Sequence, residues 1–146
     1  MREAEPTNPT RPIPDRRIRL VVAVPHGRTR AAIRAAVEAT GEIVVAAEPP
    51  SALQITTRAR VAAAQVVLID LALLPRGSSP RLEDVIRKLA PAVVITLGLD
   101  GDASFRRASL RAGAAGHLLT DATPDEYLQA IQAALRGSAE PSPSAC

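Results

Sequence analysis

The stretch "IRLVVAVPHGRTRAAIRAAVEATGEIVVAA", residues 18–47, decides the fold. Residues 18–24 and 42–47 are short apolar runs rich in β-branched side chains. They are nearly continuous rather than alternating, as expected of strands covered on both faces. Between them, "RTRAAIRAAVEAT" has the length and apolar spacing of a helix, and it stops at Gly41, a residue suited to the left-handed position after a helix. A strand, a helix and a second strand in this order form a βαβ unit, with parallel strands and a right-handed crossover.

The same alternation continues to the end of the chain. Further strand-like runs are "AQVVLID" (64–70), "AVVITLG" (92–98) and "AGHLLT" (115–120). The intervening helical segments carry start and stop signals. Ser51 and Gln54 have capping-box spacing, as do Thr123 and Glu126. Ser79 precedes Pro80, a cap followed by a first-turn proline, and Pro124 follows Thr123 in the same way. The fourth helix is expected to start at Asp102 and end at Gly113, the fifth to end at Gly137. Five strands and five helices in strict alternation imply an α/β fold, a (βα)5 doubly wound parallel sheet of order 2-1-3-4-5. In that order a site forms at the C-terminal ends of the first and third strands, which sets Pro25-His26-Gly27 beside Asp70.

The flanks differ in character. Residues 1–17 hold four prolines and mixed charge and read as a disordered arm; residues 138–146 read as a disordered tail or linker. The domain is therefore expected over 18–137. No stretch approaches the roughly 18 apolar residues of a membrane span, and the start lacks the apolar run of a signal peptide, so a cytoplasmic chain without membrane contact is expected. Cys146, the only cysteine, is the last residue and forms no intrachain disulfide. The net charge of +3 permits a nucleic-acid partner without arguing for one. Phe105 and Tyr127 are the only aromatic residues, which disfavours binders that stack single-stranded bases on aromatic rings. Phosphate-loop, dinucleotide, nucleophile-elbow and metal-cluster motifs are all missing, so no enzyme activity is expected.

Asp70 closes the third apolar run, at the tip where the topology would place a site. Position alone leaves two readings open. It could serve as a nucleophile or metal ligand, or it could cap the following loop or pair with an arginine.

Residues 18–48, "VVLIDLALLPRG" (66–77) and "LRAGAAGHLLTDATPDEYLQAIQAALRG" (110–137) resemble a response regulator receiver (CheY-like) domain, closest to the branch that precedes LuxR-type helix-turn-helix domains. The resemblance spans roughly 18–137, and the stretch after Leu110 is its most specific part. It implies a flavodoxin-like fold and a role in bacterial two-component signalling. Such domains accept a phosphoryl group on an aspartate that matches Asp70. Their Mg2+-binding acid pair matches Val24 and Pro25, followed here by His26. Their phosphoryl-binding Ser or Thr matches Leu97, with Thr96 one residue early and so on the other face of its strand. Their lysine matches Thr120, and their aromatic switch residue matches His117. Their loop proline matches Pro75, one residue late.

Asp70 is thus a phosphoacceptor equivalent without its machinery. Phosphoryl transfer depends on positioning and charge neutralisation, and loss of one electrostatic group typically costs on the order of 10²–10³ in rate. The Mg2+ site is expected to be lost, Asp70 to be inactive, and no cofactor to be needed. His26 or Arg28 could instead pair with Asp70, or His26 could simply face solvent. Function is then expected to lie in binding. Phe105, Arg106, Arg107 and Arg111 of the fourth helix, together with His117, mark a face over helix 4, strand 5 and helix 5 for a protein partner or homodimer. Only nine residues follow Gly137, too few for a helix-turn-helix, so DNA contact is expected only through a separate domain. Two alternatives remain: a receiver sensing a small molecule in the vacated pocket, and a conventional receiver phosphorylated on Asp70.

Overall fold

The computed structural model describes residues 16–74, 81–99 and 103–139, with backbone alone for Ser138 and Ala139. Five strands, β1 (Ile18–Ala23), β2 (Ile43–Ala47), β3 (Val66–Asp70), β4 (Val93–Gly98) and β5 (Gly116–Leu119), alternate with five helices. The helices are α1 (Gly27–Glu38), α2 (Ala52–Val61), α3 (Leu82–Leu89), α4 (Ala103–Ala112) and α5 (Pro124–Ala139). All neighbouring strands are parallel, in the order β2-β1-β3-β4-β5. This is the doubly wound α/β architecture expected from the alternation.

Residue parity divides the core into two layers. Leu20, Val22 and Val24 point to the face covered by α1 and α5, where they meet Ile33, Val37, Tyr127 and Ile131. Val21 and Ala23 point to the opposite face, against Ile55 and Ala59 of α2 and Val85 and Leu89 of α3. Both faces of β1 are thus apolar, which is why the run is continuous rather than alternating.

Helix ends follow the sequence signals in part. Thr123 and Glu126 form a reciprocal capping box: the Thr123 N–H donates to Glu126 Oε1 at 2.8 Å, and the Glu126 N–H donates to Thr123 Oγ1 at 3.1 Å. Gly41 and Gly113 hold positive φ, +75° and +112°, just past the ends of α1 and α4. Ser51 is the N-cap of α2, but its side chain makes no capping bond, so the expected box with Gln54 does not form; the Gln54 N–H bonds the Ser51 carbonyl instead. α3 begins at Leu82 with Arg81 as N-cap, later than the Ser79-Pro80 signal, which lies outside the described residues. Asp102, the expected start of α4, and Pro75 also lie outside them. α5 runs through Gly137 to Ala139, because an exposed glycine costs a helix only about 1 kcal/mol.

α4 is the helix least embedded in the core. Ser109 is its single buried residue, and the Ser109 hydroxyl lacks a hydrogen-bond partner among the described residues. Phe105 and Leu110 remain about 40% exposed. Arg106, Arg107 and Arg111 are also exposed.

Candidate functional site

The C-terminal tips of β1 and β3 adjoin. Ala23 pairs with Ile69, so Val24 and Pro25 follow at the level of Asp70, and Asp70 pairs with Leu97 of β4. Asp70 is buried, with 7% of its surface exposed. Its side chain accepts the Ala72 N–H at 2.9 Å and caps the single 3-10 turn at Leu71–Leu73. This is an aspartate side chain bonding its own backbone two residues on, the local use left open by the sequence.

The rest of the tip is apolar or already engaged. Val24 has no exposed surface and belongs to the α1/α5 core, as does Leu97. Both are core residues, and Leu97 is also the register partner of Asp70, so their side chains lie under the tip on the same side of the sheet as the aspartate. They share that cluster with Tyr127 and Ile131, on the face to which the parity of β3 also assigns Asp70. Pro25 is half-buried, and His26 is exposed as the N-cap of α1, without a side-chain capping bond. Arg28 is exposed as well. Among the described residues no ion pair joins Asp70 to His26 or Arg28; the pairs of this region are those of Arg30 and Arg34 with Glu48 and of Arg34 with Glu38. These neighbours, with hydrogen bonds to both carboxylates, hold the Arg34 guanidinium above its usual pKa, Glu38 contributing most.

Arg30 is the residue that sequence reasoning missed. Its Nη1 donates to the Val24 carbonyl at 2.9 Å, and its Nε lies 3.6 Å from Glu48 Oε1. The guanidinium thus ties the tip of β1 to the acid that follows β2. The only sequence signal for this was an arginine in the first turn of a helix beside a strand tip.

At the other edge, Thr120 stands where β5 ends. Its N–H donates to the Gly98 carbonyl at 2.9 Å, and its carbonyl accepts the Tyr127 hydroxyl at 3.0 Å. Tyr127 is fully buried, and its phenol is pushed up to about 12 by burial first and by the negative charge of Asp121 second. Thr96, fully buried, lies opposite His117 in the β4–β5 register, and Thr96 Oγ1 is 2.7 Å from His117 Nδ1. Thr96 does lie on the face opposite Leu97, as parity required, and there its partner is the half-buried His117 rather than Asp70. Among the described residues no cluster of three or more His, Cys, Asp or Glu could hold a metal ion, and no helix is long and apolar enough to cross a membrane.

The described residues carry the fold of a response regulator receiver domain. Among solved structures, the chain is similar to a LuxR-family two-component response regulator from Aurantimonas sp. SI85-9A1, with a TM-score of 0.72 and 24% identity over 83% of this chain and 86% of that one. It is also similar to the response regulator domain of Thermotoga maritima CheB, with a TM-score of 0.70 and 20% identity over 83% of this chain and 98% of that one. Among curated proteins it is 29% identical over 124 residues to the uncharacterized transcriptional regulatory protein YxjL of Bacillus subtilis (strain 168), covering 84% of this chain. The chain spans 56% of the length of that relative. No protein-family model matches the chain.

Proposed function

We propose that this chain is an atypical, phosphorylation-independent receiver domain, a protein-interaction or dimerisation module of two-component signalling or transcriptional control. The observation that carries this reading is the state of Asp70. Among the described residues at the tips of β1, β3 and β4 it is the only carboxylate, and it already caps its own turn. Mg2+ sites of this kind draw on one or two carboxylates plus phosphate oxygens. Val24 and Pro25 bring no side-chain oxygen, and the Val24 carbonyl is already used by Arg30. These residues do not fit a Mg2+ site, and Thr120 supplies no positive charge for a phosphoryl group. Resemblance to a transcriptional regulator supports the regulatory setting. In that setting DNA is reached through a separate domain.

The interaction surface is the α4–β5–α5 face, with Phe105, Leu110 and the three arginines of α4. A helix that buries one hydroxyl and leaves apolar and cationic side chains outside is poorly satisfied by its own domain. Incubation with acetyl phosphate and Mg2+ followed by intact mass measurement is the direct test of the phosphorylation half. The mass is expected to remain unchanged; a stable gain of one phosphoryl group on Asp70 contradicts the reading. For the surface half, Arg107→Glu with Arg111→Glu is expected to keep the fold and to abolish self-association or partner binding in sedimentation. Association equal to that of the parent chain would move the interface elsewhere.

A further inference from the structure

At the opposite end of the sheet from Asp70, the C-terminal ends of α2 and α3 flank a groove of about 230 Å³. Ala59, Ala64, Leu89 and Ala92 contribute its apolar floor, and Arg60 and Lys88 stand on it. Among the described residues no acidic side chain lines it. Two cations in the last turn of a helix are ordinary company for its negative end. That rule places all four basic residues here, Arg58 and Arg60 on α2 and Arg87 and Lys88 on α3. It does not explain how they divide. Arg58 bonds Gln54 and Arg87 bonds Asp84, each within its own helix. Arg60 and Lys88, the two at the groove, have no ion pair or side-chain hydrogen bond among the described residues.

Most of the local backbone donors are consumed. The N–H groups of Ala62, Ala63 and Ala64 bond the carbonyls of Arg58, Arg60 and Ala59, and the Ala92 N–H bonds the Leu89 carbonyl. Pro91 has no N–H to offer. Ala63 also lines the groove, at φ +53°, a left-handed conformation that glycine adopts freely and alanine does not. Over the methyl-lined floor stand the side chains of Arg60 and Lys88, their charge partly offset by the negative ends of α2 and α3.

We infer that this groove binds a small organic anion, a carboxylate on a compact apolar body, with Arg60 and Lys88 holding the charge and the alanine floor holding the body. A bare inorganic anion satisfies the charge and leaves the floor wet, whereas a neutral apolar molecule leaves the cations unmatched. The inference is independent of the reading of Asp70, which lies at the other end of the strands.

The test is a titration of the full chain with benzoate, followed by amide NMR, with inorganic phosphate as the bodiless control. Benzoate is expected to give saturable shifts at Thr56, Arg60, Ala63 and Lys88 in the millimolar range, which corresponds to weak but specific binding. Phosphate is expected to bind at least about tenfold more weakly. Arg60→Gln with Lys88→Gln, both exposed positions, is expected to keep the spectrum of the folded chain and to weaken benzoate at least about tenfold. Linear shifts without saturation, equal binding of phosphate, or unchanged benzoate affinity in the double variant would each overturn the inference.

Discussion

Val24→Asp places an acid at the tip of the first strand, where the resemblance to receiver domains matches one, and the structure predicts a heavy loss of stability. Val24 has no exposed surface and packs in the cluster that includes Ile33, Leu97 and Tyr127. Aspartate is close to valine in size, so the cost is chemical rather than steric. Losing the burial of a valine side chain costs about 1.5–3 kcal/mol. A carboxyl group buried without a donor adds about 1–3 kcal/mol even when it takes up a proton to avoid charge. The sum, roughly 2.5–6 kcal/mol, is a large share of the whole stability of a typical domain, about 5–15 kcal/mol. Pro25→Asp is the control: that position is half-buried, and its cost is expected near 1 kcal/mol or below. Urea denaturation followed by circular dichroism measures both. If Val24→Asp falls within about 1 kcal/mol of the parent chain, position 24 reaches solvent and forms pocket wall, and the reasoning about this tip fails.

Other substitutions test neighbouring parts of the account. Asp70→Asn keeps an oxygen for the Ala72 N–H, whereas Asp70→Ala does not, so the Asn variant is expected to be about 1 kcal/mol more stable than the Ala variant in urea; equal or reversed stabilities would mean that the cap is unimportant. Ser109→Ala removes a buried hydroxyl without a partner and improves helix propensity, so it is expected to raise stability by about 1 kcal/mol; a loss would show that the hydroxyl has a role. Tyr127 sets an alkaline limit. Its folded pKa near 12 lies above the ordinary value of 10, so below pH 10 both states keep the proton and the contribution is fully present. Between about pH 10 and 12 the unfolded chain releases the proton first, and stability falls. Tyr127→Phe is expected to lose about 1 kcal/mol at neutral pH with the bond to the Thr120 carbonyl, and to flatten that alkaline fall; a fall of undiminished steepness would assign it to other groups.

The sheet was legible because its signal is repeated. β1 and β3 are apolar on both faces, and that continuity with intervening helical spacing leaves few topologies. The ends were less legible. Ser51 and Thr123 carry similar capping spacing, yet the box forms only at Thr123, where Glu126 reaches back to the backbone. Gly137 looked like a stop, but nothing at that exposed position obliges the helix to end there. At the site, the identity of Asp70 was readable and its bond to Ala72 was one of two open readings. The complete burial of Val24 and Leu97 was not readable, because it depends on how closely α1 and α5 pack over the strand tips, which no local pattern records. Arg30 was missed because a bond from a helix to a strand-tip carbonyl leaves no periodic trace.

The central proposal is that the tip around Asp70 does not act as a phosphorylation switch. Amide NMR of the purified chain, titrated first with Mg2+ and then with beryllofluoride as an imitation of an aspartyl phosphate, tests it most directly. The account predicts no saturable shift at Asp70, Ala72 or Thr120. Saturable shifts that start at Asp70 and spread to His117 and Arg107 would contradict it and would show a working switch.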